Sequence, residues 1–341
     1  MNLPKSINFG GMGTGHIQGI ATDTKREYMY YSFTTSLVKT DMKGNVIGSV
    51  NGLAGHLGCI AYNYENGKLY GSLEYKHDAI GSSILSRINN GSECEIDVED
   101  GFYIAIFDVE KIDRIDMDAE RDSVMSAVYL DKVTEDYKFE GHRYGCSGID
   151  GMTFAPVPAS ADKKKYVYVA YGIYSDTERE DNDRQVLLRY DWREFDKYAA
   201  PLNQKAMHRC GPKSPEDVYF VYTGNTEWGV QNLEYDDDTG YMFLAVYNGH
   251  KPSFPNYPMF VANMNEPAKE MSDGKYISLK ATPLTDEKTG ISGIDFPYGS
   301  TGTLSLGGGY FYFSRPYKNN DGWGTDIGLY RFDGEGSFTE T

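Results

Sequence analysis

The stretch that decides the fold reads GHIQGIATD (15–23), TKRE (24–27), YMYYSF (28–33), TT (34–35), SLVKTD (36–41), MKGN (42–45) and VIGSV (46–50). It then restarts as GHLGCIAYN (55–63). Each Gly-His segment leads into a short apolar strand, the polar tetrapeptide after it is a turn, and the Tyr/Phe-rich segment has the residue types that favour strands. The second copy continues through YENG (64–67) and KLYGSLEY (68–75), a loop at KHDAIG (76–81), and a third strand expected at SSILSRI (82–88). A third copy runs GIDGMTFAP (148–156), ADKKK (161–165), YVYVAYGIY (166–174), an acidic loop and QVLLRYDW (185–192). The fourth is GVQNLEYD (229–236), DDTG (237–240), YMFLAVYN (241–248) and MFVANMN (259–265). The fifth is STGTLSLGGG (300–309), YFYFSRPY (310–317) and IGLYRFDG (327–334).

A strand–turn–strand–loop–strand unit recurring every 40–80 residues is the pattern of a β-propeller, whose blades are typically four-stranded sheets around a central channel. The chain is therefore predicted to be an all-β, five-bladed propeller, a single domain over 1–341, with inner strands starting near 17, 57, 149, 230 and 301. A two-sheet sandwich gives no reason for every unit to restart on the same Gly-led strand. The insertions fall at 89–100 and in the charged stretch 110–122, read as a helical turn or a strand with a long loop.

Composition agrees. The chain carries 29 Tyr, 16 Phe and 38 Gly, with Leu and Ala too sparse for a helical bundle. The balance of 33 basic against 50 acidic residues leaves a formal charge of −17, which argues against a nucleic-acid or anionic-lipid partner. Mean hydropathy is −0.53, and no apolar run is long enough for a membrane-spanning helix. Cys59, Cys94, Cys146 and Cys210 form no short metal-binding spacing and read as structural free thiols. The N-terminal sequence has no signal-peptide pattern, so the expectation is a cytoplasmic protein or an exported one already trimmed. The oligomeric state is open.

In a propeller the loops before the inner strand and between the second and third strands emerge on one face. That face collects five of the six His residues, while the opposite turns are short and bland. His16 and His56 occupy equivalent positions in successive blades, suited to metal ligation, to acid–base work or to a structural bond with a neighbouring carbonyl. Glu74 and His77 lie together on one loop, and a carboxylate beside an imidazole suits general acid–base chemistry. Asp150 sits at an inner-strand start, equivalent to Gln18 and Gln231. Arg143, Glu227, Trp228, His250, Arg315, Tyr317 and Trp323 add polar, cationic and aromatic groups on the same face, as a sugar ring requires. GGMGTGHIQG and GCSGIDG match neither a dinucleotide fingerprint nor a nucleophile elbow.

The repeated units resemble five-bladed propeller proteins over essentially the whole chain, a scaffold shared by arabinanase-like glycosidases, calcium-dependent nucleotidases and lectins. The resemblance to arabinanase-like enzymes implies acids on successive inner strands. This chain has Asp150 in its third blade but His16 with Gln18 in its first and His56 in its second, a departure from that pattern. Some polysaccharide lyases on larger propellers use His, Tyr and Arg instead, which is nearer in residue type but not in blade number.

The expected function is a hydrolase or lyase acting on a carbohydrate or related small molecule at the channel mouth. His16, His56, His77, Glu74 and Asp150 are its candidate catalytic residues. A divalent metal ion or an ordered small ligand is expected on the axis at His16 and His56, with Gln18, Gln231 and Asp150 nearby; an ion there would be a cofactor of Zn²⁺ or Mn²⁺ type rather than in a Ca²⁺ cage. A non-catalytic, ligand- or glycan-binding propeller is the alternative.

Overall fold

The computed structural model describes residues 3–10, 15–89, 99–320 and 322–341. Cys94, most of the 89–100 insertion and part of the opening Gly-rich stretch lie outside them. The chain forms a five-bladed β-propeller.

The first blade pairs Ile17–Thr22, Tyr28–Phe33, Ser36–Asp41 and Val46–Asn51 in sequence order. The second holds His56–Asn63, Lys68–Tyr75, Gly101–Phe107 and Met125–Tyr129. The third holds Cys146–Ala155, Tyr166–Ile173, Gln185–Tyr190 and Asp217–Val221. The fourth has three main strands, Glu227–Asp236, Tyr241–Tyr247 and Met259–Asn263, extended at its edge by a bridge from Met259 to Ile294. The fifth runs Thr303–Gly307, Tyr310–Asn319 and Gly322–Phe332.

What closes the ring is non-local. Ser6–Phe9 adds antiparallel to the fifth blade's outer strand, Ser6 opposite Gly328 and Phe9 opposite Thr325. Ile7 and Phe9 are buried there. Apolar packing follows the same geometry, because each blade buries its faces against its neighbours. Leu57, Leu73 and Tyr103 of the second blade pack with Tyr30, Leu37 and Val50 of the first. Ile17, Tyr31 and Val38 of the first pack with Leu304, Tyr312 and Leu329 of the fifth.

Two segments differ from the sequence reading. SSILSRI is not a strand: helix α1 spans Ala79–Asn89, and the blade's third strand is GFYIAIF at 101–107. Ile80, Ile84 and Leu85 recur at helical spacing, and the Asp78 Oδ1 accepts from the amides of Ile80 (3.0 Å) and Gly81 (2.9 Å), capping the helix. A short apolar run fits either element by periodicity alone. In 110–122, Met117–Asp118 forms a short strand parallel to the edge of the first blade, within a long loop.

Candidate active site at the channel mouth

Inner-strand pairing slips between Ile17 and Gly19, Leu57 and Ile60, Ile149 and Met152, and Val230 and Asn232. Such bulges leave an extra residue unpaired and re-aim its side chain. Here the extra residues include Gln18, Gly58, Asp150 and Gln231. Ser32 Oγ donates to the Gly58 carbonyl and Ser72 Oγ to the Asp150 carbonyl, both at 2.6 Å, so the second strand of one blade holds the bulge of the next.

Above the bulges lies a cavity of about 580 Å³. Its lining includes His16, Gln18, Thr34, His56, Glu74, Lys76, Ser147, Asp150, Trp228, Gln231, Tyr247 and Trp323, with Ala79, Ile80, Ser83 and Ile84 of α1 at one side. Every blade contributes, so the site is composite rather than five repeated pockets.

Beneath it is a buried charged network. The Lys76 ammonium lies 2.6 Å from Glu74 Oε1 and 3.4 Å from Asp78 Oδ2, and donates to the Ser147 carbonyl at 2.9 Å. Glu74 Oε2 accepts from the Ile149 amide at 3.0 Å. A Cβ on Gly148, whose φ is +127°, would stand 1.9 Å from that oxygen, so only glycine leaves room for the carboxylate. Asp150 is cradled in the same way: a Cβ on Gly58 would come within 3.0 Å of Oδ1, and one on Gly172 within 3.4 Å of Oδ2. Gln231 Nε2 donates to Asp150 Oδ2 at 3.2 Å.

Two atoms are left over. His56 Nδ1 and Asp150 Oδ1 are buried without a hydrogen-bond partner in the chain, and they face each other at 3.5 Å. Burial, then the charge of Glu74, pushes Asp150 well above the usual carboxylate range. Burial also raises Glu74, opposed by Lys76. Although burial pulls its ammonium down, Glu74 and Asp78 hold Lys76 above its ordinary value. Burial, then the charges of Lys76 and His16, takes His56 down to about 3, so its imidazole is neutral at physiological pH. The floor of the site thus presents an acid whose protonated form is favoured by its surroundings beside a neutral base, over an ion pair.

The neutral His56 has a consequence for stability. Between pH 6.5 and about 3 the unfolded chain takes up a proton that folded His56 refuses. Its contribution is therefore complete above pH 6.5 and is lost as pH falls through that window. Thermal unfolding followed from neutral to acid pH is expected to show a steeper loss of Tm in the wild type than in His56→Gln. Parallel curves would contradict the burial of a neutral imidazole here. Asp150 acts with the opposite sign, its contribution being lost as pH rises through its raised pKa.

The structure gathers His16, Gln18, His56, Glu74, Asp150, Trp228, Gln231 and Trp323 around one cavity. His16 Nε2 lies 3.3 Å from Gln18 Nε2, and its ring packs against Trp323 at 5.8 Å. The other candidates stand outside the lining. Half-exposed His77 pairs with Asp100 at 3.0 Å. Arg143 binds Asp136 at 3.2 Å and stacks over Phe139. Glu227 and His250 form an exposed pair at 3.2 Å. Arg315 pairs with Glu340 at the edge of the fifth blade, and the Tyr317 hydroxyl accepts from Asn8. Lys76 escaped the sequence reading, although its spacing of two from Glu74 places both on one side of an extended chain.

The ligand atoms closest to a metal-binding arrangement among the described residues are those of His56, Glu74 and Asp150, within 4.8 Å of one another. His16 is not one of them.

Fold and site together define a five-bladed propeller with a composite, acid-bearing cavity at one end of its channel. No protein-family model matches the chain, and no curated protein matches it. Solved structures do. A GH43 β-1,3-galactosidase with galactodeoxynojirimycin matches over 98% of both chains at 12% identity and a TM-score of 0.45. A calcium structure of a Trichoderma reesei carbohydrate-active enzyme of family AA12 matches over 91% of this chain and 80% of its own, at 10% identity and a TM-score of 0.44. The holo form of the pyranose dehydrogenase PQQ domain from Coprinopsis cinerea covers 91% and 81%, at 12% and 0.35. Likenesses this distant carry no argument about what this chain does.

Proposed function

We propose that this protein is an acid–base enzyme that hydrolyses a neutral glycoside or a closely related hydroxyl-rich small molecule, with Asp150 as acid and His56 as the neutral imidazole beside it. The observation that carries this reading is the pair of unpartnered buried atoms, Asp150 Oδ1 and His56 Nδ1, facing each other on the floor of an aromatic-walled cavity. Asp150 gives its proton to the leaving oxygen as the glycosidic C–O bond breaks; water then bonds to the same carbon and returns a proton to the Asp150 carboxylate, which restores the acid. The carboxylate formed between these steps is unfavourable next to Glu74, and the His56 imidazole, 3.5 Å from Oδ1, is the group placed to take up positive charge beside it. Gln18 and Gln231 offer amide groups to hydroxyls, and Trp228 and Trp323 offer faces to the C–H side of a ring.

The substrate is neutral because, among the described residues, the cavity has no cation to spare. Lys76 is the one lysine or arginine of those residues lining it, and its ammonium is taken by Glu74, Asp78 and the Ser147 carbonyl. Arg143 and Arg315 are engaged elsewhere. A uronate or phosphorylated sugar would meet no partner for its charge, in a protein of net charge −17. Screening matched pairs of neutral and uronic glycosides is expected to give turnover on neutral members alone. Preferential cleavage of uronates would overturn the assignment, and binding without turnover would favour a glycan-binding propeller.

A second reading places a divalent cation on His56, Asp150 and Glu74, favoured by their three ligand atoms lying within 4.8 Å. These residues offer one nitrogen and two carboxylates, a donor set compatible with Zn²⁺ or Mn²⁺. Against it, the Lys76 ammonium already occupies the position of a cation at Glu74 Oε1. Elemental analysis of the purified protein separates the two: a stoichiometric metal supports the second, and its absence with retained turnover supports the first.

A further inference from the structure

Helix α1 occupies the loop position between the second and third strands of its blade, and it gives the cavity a wall unlike its floor. Ile80 and Ile84, four residues apart, lie on the same side of the helix, and both line the cavity together with Ala79. Ile84 is buried, whereas Ile80 is 36% exposed. Among the described residues, Ile80 is the one large apolar side chain that is both exposed and part of this lining. The helix is also anchored. The carboxylate of Asp78 caps it, accepts from the Tyr174 hydroxyl at 3.0 Å, and lies 3.4 Å from Lys76. One side of the cavity is thus a fixed apolar surface, continuous with a floor of Asp150, Gln18 and Gln231.

We propose that the cavity binds an amphiphilic glycoside, its sugar over Asp150, Gln18 and Gln231 and an alkyl or aryl aglycone along the Ile80–Ile84 side of α1. This rests on the reading of the floor as a neutral-sugar site. A free reducing sugar or a fully hydroxylated chain would leave Ile80 against water, whereas an apolar aglycone removes that surface from solvent. Ile80 is then a specificity-determining residue, set apart from the acid–base pair.

The test is calorimetric titration of the wild-type protein with methyl and hexyl 1-thioglycosides of glucose, galactose, xylose and arabinose, whose sulfur linkage resists cleavage. For any sugar that binds, the hexyl compound is expected to bind at least about tenfold tighter than the methyl, with a negative heat-capacity change. Ile80→Asn is expected to bring the ratio below about threefold while leaving the methyl Kd unchanged, and Ile80→Leu to keep it. If methyl thioglycosides bind and the hexyl chain adds nothing, or if Ile80→Asn retains the full preference, the aglycone inference is wrong and the sugar site survives. If no thioglycoside of either kind binds, the sugar reading falls and this inference with it.

Discussion

Asp150→Asn is expected to reduce kcat on the neutral glycoside identified by screening by about 10³-fold, within the range that general acid catalysis supplies. The substitution is nearly isosteric. Asn fits the space left by Gly58 and Gly172 and can still accept from Gln231, so far-UV circular dichroism and Tm should stay close to the wild type. What it removes is the ionisable proton. In the wild type, the rate should fall as pH rises through the raised pKa of Asp150, because the acid form is then depleted. Residual activity in Asp150→Asn should lose that alkaline limb. Activity within about threefold of wild type would remove Asp150 from the role of acid, since such a change is far below the catalytic term at stake.

Lys76→Met carries the largest expected effect on stability. Lys76 and Glu74 are both almost fully buried, and removing one partner of a buried ion pair leaves the other charge uncompensated, a loss of about 3–5 kcal/mol. Asp78 loses its nearest ammonium at the same time, so α1 should loosen at its cap. The double variant Lys76→Met, Glu74→Gln removes both charges and should regain most of the loss. Denaturant unfolding of the single and double variants measures this directly. Equal destabilisation of the two would mean that packing of the lysine stem, rather than pairing with Glu74, accounts for the cost.

Much of the propeller was legible because its signals are local. Polar turns, Tyr-rich second strands and Gly-led inner strands each occupy a few consecutive residues, and their recurrence marks the blades that the structure begins at Ile17, His56, Cys146, Glu227 and Thr303. The equivalence of Gln18, Asp150 and Gln231 was legible for the same reason, since equivalent residues of a repeat meet around one axis. Where the chain forms contacts between distant residues, the reading stopped. Nothing near Ser6–Phe9 announces a partner at 325–328, yet that pairing closes the ring. Residues 79–89 are too short an apolar run for period alone to separate helix from strand, and the cap on Asp78 tipped them to helix. Arg143 and Arg315 read as substrate contacts because charge and face were all the sequence supplied. Asp136 and Glu340, brought alongside by folding, engage both outside the cavity lining. The amino-acid sequence by itself determined the repeat, the number of blades and the polar and aromatic groups that the loops carry. Only the tertiary structure decided which of those groups share a cavity and which are already paired, because charge pairing and desolvation depend on distances across blades that no local pattern encodes.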